Sequence, residues 1–313
     1  MRKDLLEVQN TVNAIFNEIN KVVIGKSDII NYLALGLLSE GNILLEGFPG
    51  VAKTTIAKSF ATALGCDFKR IQFTPDIMPA DITGTYIYNQ KTGDFELRKG
   101  PVFANIILAD EINRASPKSQ SALLECMEER QVSLEGNTMR IPGPFMVIAT
   151  QNPIDLEGTY PLPEAQIDRF LFKINVEYPD EIEELDMLIR KDKEISTEIR
   201  KVTTPEKITG MIEAVRTVYI DEKVMQYIRD LVIRTRNNKD LLIGASPRAS
   251  VALLKASKSY AAIKGRDYVI PDDIKYLLPV VLQHRLILTP ESEFSGSAVK
   301  DIIHDIINQV EIP

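Results

Sequence analysis

The chain has 313 residues, of which 44% are hydrophobic and 26% are charged, and its 37 basic and 44 acidic side chains give a net charge of −7. This composition is typical of a cytosolic globular protein of about two domains, and the acidic balance disfavours binding to duplex DNA through bulk charge. The two cysteines, Cys66 and Cys126, are too few for a disulfide scaffold or a cysteine-rich zinc site.

No segment has the pattern of a signal peptide or of a membrane span. Acidic residues stand at positions 4 and 7, and no apolar run of signal-peptide length follows them. The sequence also lacks a run of about 18 apolar residues, which a membrane-spanning helix needs. The sequence therefore predicts a cytoplasmic protein without a membrane span.

Helices and short strands alternate along the first 180 residues. Apolar residues at helical spacing predict helices over 4–20, 27–39, 53–64 and 117–130. Ser27 is the predicted N-cap of the second helix. Short apolar runs predict strands over 43–46, 67–73, 106–109, 145–150 and 171–176. Strands that alternate with helices in this way predict an α/β domain with a mainly parallel sheet.

Two stretches interrupt this alternation, over 74–100 and 131–143. Alternating side chains flank a Thr-Gly-Asp sequence in the first stretch and the dipeptide Gly136-Asn137 in the second. Both stretches are long for plain connections. Each therefore predicts a β-hairpin inserted into the α/β domain.

Beyond residue 180 the strand pattern stops, and the remaining chain is predicted to be helical. The predicted helices cover 180–194, 205–217, 221–236, 247–263, 271–283 and 297–310. Thr204, Asp221 and Ser246 precede three of these helices as N-cap residues. The sequence thus predicts two domains, residues 1–179 and residues 180–313.

A glycine-rich segment after the first predicted strand has the pattern of a phosphate-binding loop. It contains Gly47 and Gly50 and leads into Lys53 and Thr54, although Ala52 stands where the general pattern has glycine. Glycines let the backbone wrap around a phosphate, and the N–H groups at the start of the next helix favour its negative charge. Lys53 would then reach the outer phosphates, and Thr54 would bind Mg²⁺.

Two acidic residues, Asp110 and Glu111, follow the apolar strand 106–109. The carboxyl ends of parallel strands form the edge at which α/β sheets bind their ligands. At that edge Asp110 would hold the Mg²⁺ shell, and Glu111 would orient and activate a water molecule.

Three further polar residues are candidates whose local sequence leaves more than one interpretation open. Asn152 ends a predicted strand and could contact the same water, or be an ordinary turn residue before Pro153. Arg169 could be a surface charge, a partner of Asp168, or an arginine finger that acts on a neighbouring subunit. Arg248 begins a helix, where the macrodipole disfavours a cation, so it either binds an external anion or covers apolar surface.

In this order the motifs resemble those of the AAA+ ATPases, and more narrowly those of the MoxR-type members, which are related to magnesium chelatase ATPase subunits. The resemblance covers nearly the whole chain and rests on EGFPGVAKT (46–54), LADEINRA (108–115), ATQNP (149–153), LPEAQIDRF (162–170), GASPRA (244–249) and PDDI (271–274). Ala52 departs from the general loop pattern but is similar to MoxR-type sequences.

This resemblance implies a P-loop fold with a three-layer αβα core and a C-terminal all-helical lid, assembled as a ring that often has six subunits. It implies hydrolysis of ATP to ADP with Mg²⁺ at sites between the subunits. Members of this family remodel or activate partner proteins in a chaperone-like way. Their partners often contain von Willebrand factor A-type domains.

The resemblance also implies a role for each matching residue. The catalytic residues would be the Walker B residue Glu111, the sensor 1 residue Asn152, the arginine finger Arg169 and the sensor 2 residue Arg248. Thr54 and Asp110 would be the metal ligands. The nucleotide-binding residues would be Val23, Ile24, Gly25, Gly47, Pro49, Gly50, Val51, Ala52, Lys53, Thr54 and Thr55.

Two other functions stay open on the sequence alone. The same core could belong to a motor or regulator that acts on nucleic acid. The chain shows no helix-turn-helix module, zinc finger or basic arm, however, so nucleic acid is not the expected partner. The core could also be a nucleotide-switched binding module without turnover, but the presence of Lys53, Glu111 and Arg169 argues against that function.

Overall fold

A five-stranded parallel sheet lies at the centre of the first half of the chain in the computed structural model, which describes residues 2–153, 158–193 and 198–313. The strands of these residues are β1 (Ile43–Gly47), β2 (Phe68–Gln72), β3 (Gly84–Asn89), β4 (Asp94–Lys99), β5 (Ile106–Asp110), β6 (Gln131–Leu134), β7 (Asn137–Arg140), β8 (Met146–Gln151), β9 (Phe172–Val176), β10 (Leu241–Ile243) and β11 (Ile287–Leu288). The sheet has the order β2-β5-β8-β1-β9, and each neighbouring pair is parallel. The predicted α/β fold with a parallel sheet is therefore confirmed.

Helices accompany the sheet and form most of the second half. Within the described ranges they are α1 (Lys3–Ile19), α2 (Ser27–Leu38), α3 (Lys53–Leu64), α4 (Pro79–Thr83), α5 (Pro117–Glu129), α6 (Glu164–Ile167), α7 (Glu181–Asp192), α8 (Pro205–Arg216), α9 (Glu222–Arg236), α10 (Pro247–Ile263), α11 (Pro271–Leu282), α12 (Pro290–Phe294) and α13 (Val299–Gln309). Among these described helices, none combines the length and the apolar character that crossing a bilayer requires.

The starts of the helices follow the predicted caps in three cases and depart from them in one. The side chains of Thr204, Asp221 and Ser246 accept hydrogen bonds from backbone N–H groups in the first turns of α8, α9 and α10. These bonds pair N–H groups that have no partner within the helix. The assignment of Ser27 as an N-cap was wrong, because Ser27 is already the first helical residue of α2 and Lys26 holds the N-cap position.

The central strands of the sheet are buried along almost their whole length. Every residue of β5 is buried, and so are all residues of β8 before Gln151. Parallel strands covered on both faces are continuous apolar runs, which is why these two could be recognised in the sequence. Their polar side chains lie at their carboxyl ends, and the parallel arrangement brings those ends to one edge of the sheet.

Two β-hairpins belong to the same half of the chain. β3 pairs with β4, and β6 pairs with β7, both antiparallel. The turn of the second hairpin is Glu135-Gly136, one residue earlier than the predicted turn, and both residues have positive φ, of +47° and +83°. A two-residue turn of this type needs positive φ at both positions. The Asn137 Nδ2 donates to the Tyr86 hydroxyl at 3.3 Å, so the two hairpins contact each other.

The second half contains a short β-ribbon that the sequence pattern did not predict. β10 and β11 pair antiparallel, so the prediction that strands stop near residue 180 was wrong for three residues of β10 and two of β11. Runs this short carry too few side chains for an alternating pattern to be recognised. The helix α12 was missed because its five residues are too few to show helical periodicity.

Helix α1 connects the two halves of the structure. It packs against α3 beside the sheet and against α8 and α10 in the helical half. The buried side chains of these elements belong to one continuous hydrophobic cluster, while a second cluster includes the side chains of β5 and β8 that alternate with those of the first. Although the sequence places α1 in the α/β domain, its apolar face is therefore shared with the helical half.

The residues that follow α11 tie the helical half to the segment between α6 and β9. The Arg285 side chain is only 3% exposed, and its Nε donates to Asp168 Oδ1 at 2.7 Å. Burial lowers the pKa of Arg285, and its ion pair with Asp168 opposes that shift. The Arg285 Nη2 donates to the carbonyl of Phe170 at 2.6 Å, and the neighbouring His284 contacts the same carbonyl through Nε2 at 3.2 Å.

We expect the stability of the fold to decrease as the pH falls below 6.5, because His284 is buried in its neutral form. Burial is the largest cause that holds the pKa of this imidazole well below 6.5, and the charges of Arg285 and Lys173 act in the same direction. Below that pH the unfolded chain binds a proton at His284 and the folded chain does not. This residue alone therefore weakens the folding equilibrium by up to about tenfold per pH unit.

Chemical denaturation of the wild type and of His284→Gln, between about pH 5 and pH 7.5, measures this effect. The stability difference between the two proteins should change with pH, and the variant should lose less stability on acidification. A difference that stays constant over this range would contradict the assignment.

Candidate active site

The loop between β1 and α3 forms one wall of a cavity of about 360 Å³. Two of its residues have left-handed backbone geometry, Gly50 with φ of +86° and Ala52 with φ of +62°. A Cβ atom at Gly47 would lie 2.4 Å from the carbonyl oxygen of Val176, so only glycine fits there. The cavity is lined by Pro49, Gly50, Val51, Ala52, Lys53, Thr54, Thr55, Asp110, Glu111 and Asn152. We call it the phosphate cavity.

Lys53 is the first residue of α3, where backbone N–H groups and the helix dipole also favour an anion. Its Nζ donates to the carbonyl of Gly47 at 2.5 Å and to that of Gln151 at 3.5 Å. Burial lowers the pKa of Lys53, and the charges of Asp110 and Glu111 raise it again. The ammonium group is thus held beside the loop that would receive a phosphate.

Asp110 ends β5 with both carboxylate oxygens in use. Its Oδ1 accepts from the Thr150 hydroxyl at 2.6 Å, and its Oδ2 lies 3.5 Å from the Thr54 hydroxyl. The Arg70 guanidinium, on β2, donates to the same Oδ2 through Nη2 at 2.7 Å and through Nε at 3.0 Å. Asp110 therefore contacts a cationic side chain on the side where Thr54 lies.

The oxygens of Thr54 and Asp110 suit Mg²⁺, a hard cation that usually takes one or two protein carboxylates and completes its shell with phosphate and water. Among the described residues, no three His, Cys, Asp or Glu side chains form a group that could hold a metal ion by themselves. A site of this composition therefore fits Mg²⁺ that arrives together with a phosphate ligand.

Glu111 follows β5 in left-handed geometry, with φ of +57°. Its backbone N–H donates to the Thr150 hydroxyl at 2.9 Å. Its Oε2 accepts from Gln72 Nε2 at 2.9 Å and lies 3.3 Å from Arg114 Nε. The carboxylate is thus oriented from two sides while it lines the phosphate cavity.

Asn152 lines the same cavity from the end of β8 and is only 7% exposed. Its carbonyl oxygen accepts from the Asn113 Nδ2 at 3.5 Å. Because β8 lies directly beside β5, the structure brings Asn152 to the edge of the sheet that carries Asp110 and Glu111.

Two residues of β2, Arg70 and Gln72, take part in this site but were missed in the sequence. Parallel pairing of β2 with β5 places Gln72 opposite Asp110, and both polar residues lie on one face of the strand. The alternating polar pair in an otherwise strand-like run is a signal that could have indicated them.

Arg169 and Arg248 line a different cavity, of about 390 Å³, and neither lines the phosphate cavity. Arg169 lies between α6 and β9, and Arg248 lies in the first turn of α10. Both donate to the carboxylate of Glu128 on α5, with Arg169 Nη1 2.8 Å from Oε2 and Arg248 Nη2 2.5 Å from Oε1. No local pattern in the sequence indicates Glu128. We call this second space the arginine cavity.

The segment of Val23, Ile24 and Gly25 also lies outside the residues that line the phosphate cavity. Val23 is buried, Ile24 is partly buried, and Gly25 has φ of +69°. A Cβ atom at Gly25 would lie 1.8 Å from Oε1 of Glu183, so this backbone rests against α7. The phosphate loop contacts the segment just before α7, because Phe48 stacks on Tyr178 with ring centroids 5.0 Å apart.

Comparison with known proteins gives matches to both halves of the chain. Residues 42–172 match the model of the ATPase family associated with various cellular activities (AAA), and residues 233–306 match that of the AAA lid domain. The uncharacterized protein YeaC of Bacillus subtilis (strain 168) is 50% identical over 296 residues, which cover 94% of this chain and 92% of YeaC.

The chaperone MoxR1 of Mycobacterium tuberculosis is 43% identical over 316 residues, which cover 98% of this chain and 83% of MoxR1. A crystal structure from Cytophaga hutchinsonii has 42% identity and a TM-score of 0.92, and the match covers 99% of this chain and 97% of that chain. These similarities extend over the sheet and the helical half alike.

We expect Arg70→Gln to bind Mg²⁺ together with nucleotide more readily than the wild type does. The guanidinium of Arg70 occupies Oδ2 of Asp110, an oxygen that a bound Mg²⁺ would use, so the metal would have to displace Arg70. Loss of a partly exposed ion pair should lower the Mg²⁺ concentration for half-maximal ATP binding by about fivefold.

Isothermal titration of ATP at a series of Mg²⁺ concentrations measures this midpoint. Lys69→Gln is the matched control, since it removes the same charge from an exposed neighbouring position of β2. An Arg70→Gln midpoint equal to or above that of the control would contradict the expectation.

Proposed function

The chain belongs to the MoxR-type AAA+ ATPases, and from this premise we propose that it hydrolyses ATP to ADP and thereby drives chaperone-like remodelling of partner proteins. One observation carries the proposal. A phosphate loop with its lysine, two strand-end acids and Asn152 all line a single cavity of about 360 Å³. An ammonium, oriented N–H groups, oxygen ligands for a metal and a carboxylate base are the groups that phosphoryl transfer to water requires.

Each residue of the phosphate cavity has a proposed part in the reaction. The Lys53 ammonium neutralises charge on the outer phosphates, and the N–H groups of the loop and of α3 bind the same oxygens. The Glu111 carboxylate accepts a proton from the attacking water, and the Asn152 amide binds that water or the γ-phosphate. Mg²⁺, held by Thr54 and Asp110, would supply further neutralisation of the phosphate oxygens when bound.

The position of the two arginines supports a site that is shared between two copies of the chain. Arg169 and Arg248 line the arginine cavity rather than the phosphate cavity of their own chain. We propose that they contact the nucleotide of a neighbouring copy. Such an interface joins different surfaces head to tail, and when its rotation closes it forms a ring, here proposed to have six subunits.

The same assignment gives the two halves of the chain different proposed roles. We propose that residues 1–179 form the nucleotide-binding core with its hairpins over 74–100 and 131–143, and that residues 180–313 form the lid. Val23, Ile24 and Gly25 are proposed to contact the adenine. Because Arg248 comes from the lid, a change in the phosphate that it contacts would move the lid against the core.

We propose proteins with von Willebrand factor A-type domains as the partners, on the resemblance to MoxR-type sequences. The first hairpin offers exposed apolar side chains for such a contact, namely Ile87, Tyr88 and Phe95. A variant arrested in its ATP-bound state should capture a protein with such a domain from a lysate. Capture of interacting proteins that all lack the domain would contradict this choice of partner.

We expect Glu111→Gln to bind ATP with nearly wild-type affinity but to hydrolyse it at least about 100-fold more slowly, because the amide cannot accept the proton of the attacking water. Steady-state release of phosphate and titration of ATP measure the two quantities. Glu129→Gln makes the same change at an exposed position of α5 outside the phosphate cavity and should keep wild-type turnover. Wild-type turnover in Glu111→Gln would show that another group is the base.

A further inference from the structure

A single carboxylate joins two guanidinium groups in the arginine cavity. Glu128, near the end of α5, places one oxygen 2.8 Å from Arg169 and the other 2.5 Å from Arg248. These arginines come from different halves of the chain, one before β9 and one from α10. Their convergence on one acid therefore depends on how the helical half is held against the sheet.

The backbone beneath both arginines is fixed by one aspartate. Asp168 precedes Arg169 and accepts from the buried Arg285 through Oδ1 at 2.7 Å. Its Oδ2 accepts from the Ser246 hydroxyl at 2.9 Å, and that hydroxyl in turn caps α10 at the N–H of Arg248. The segments that carry the two arginines are thus ordered without help from Glu128. Glu128 therefore does not place the backbone of either arginine, and its contacts are with the two guanidinium groups.

The carboxylate of Glu128 leaves this pair only partly neutralised. Two guanidinium groups carry two positive charges, whereas one carboxylate carries a single negative charge. A terminal phosphate has more negative charge and three acceptor oxygens, and arginines bind such groups in paired, charge-assisted hydrogen bonds. The adjoining space of about 390 Å³ gives an external anion access to both arginines.

A phosphate and the Glu128 carboxylate repel each other and would compete for the same donors. The side chain of Glu128 is 37% exposed, and those of Arg169 and Arg248 are 33% and 48% exposed. Exposed ion pairs of this kind are weak, so the carboxylate can be exchanged at low cost. Both ion pairs therefore form in the free chain but remain open to replacement.

We propose that Glu128 is a positioning residue that occupies, in the free chain, the place taken by the terminal phosphate of ATP bound to a neighbouring copy. This inference rests on the proposed function, since it requires that Arg169 and Arg248 act across an interface. Glu128 keeps the two arginines together before assembly, and it opposes their engagement until a competing phosphate arrives. Assembly thereby depends on the terminal phosphate of ATP.

Removal of the charge of Glu128 should make assembly easier at low ATP. In a Glu111→Gln background, which prevents turnover, sedimentation velocity at fixed protein concentration gives the ATP concentration for half-maximal assembly. Adding Glu128→Gln leaves the two arginines without their internal anion, so this midpoint should fall by about fivefold. If Glu128 acted only as a structural link between α5 and the lid, its loss would leave the midpoint unchanged or raise it.

Glu129→Gln, in the same background, is the matched control. It removes an equal charge from the next position of α5, and its side chain does not line the arginine cavity. If the ATP concentration for half-maximal assembly with Glu128→Gln equals or exceeds that with Glu129→Gln, the role of Glu128 is overturned. Assembly of the reference protein, which carries Glu111→Gln alone, would still support the shared site. Failure of the reference protein to assemble at any ATP concentration contradicts the ring itself, and with it the role of Glu128.

Discussion

A buried arginine, Arg285, and its ion pair with Asp168 hold the residues that follow α11 against the segment between α6 and β9. Arg285 also donates to the backbone carbonyls of Asp168, Phe170 and Leu171, so it orders the whole segment around Arg169. The second oxygen of Asp168 binds Ser246 at the start of α10. One aspartate therefore orders the segments that carry both site arginines. Loss of either member of such a buried pair costs roughly 3–5 kcal/mol, so the arginine cavity depends on it.

Internal partners pair charged and polar side chains of both cavities in the free chain. Arg70 binds the carboxylate that would hold the metal, Gln72 binds the proposed base, and Glu128 binds the two arginines. Polar groups left unpaired in a partly buried site are costly, so these contacts keep the site ordered. Arg70 and Glu128 are exposed enough, at 48% and 37%, to be exchanged for ligands. In this account, nucleotide binding and assembly replace internal contacts.

The parts of the site that could be predicted from the sequence are those whose signal is local. The phosphate loop is a continuous motif, and buried strands that end in acids indicate the ligand-binding edge of a parallel sheet. Arg248 at a helix start indicated an external anion, whereas the anion beside it in the structure is an internal one, the carboxylate of Glu128. Whether a nucleotide replaces it stays a prediction.

The missed residues have partners far away in the sequence. Arg70 contacts a residue 40 positions later, and Glu128 contacts one 120 positions later. On their own elements, Arg70, Gln72 and Glu128 have the pattern of ordinary polar surface residues. The ribbon of β10 and β11 was missed because its strands are too short to show alternation. The contact of α1 with the lid was missed because periodicity reveals an apolar face but not which element covers it.

The central claim is that each active site is built from two copies of the chain, and a mixing experiment tests it most directly. Lys53→Ala removes the phosphate-binding lysine, and Arg169→Ala removes the arginine, so each variant alone should be nearly inactive. In a mixture of equal parts, an interface is complete when an Arg169→Ala subunit supplies the phosphate cavity and a Lys53→Ala subunit supplies the arginine. Random assembly predicts that about a quarter of the interfaces are complete, and that ATPase activity recovers to about that fraction of the wild type. A mixture that forms the same assemblies and stays as inactive as its components would contradict the shared site.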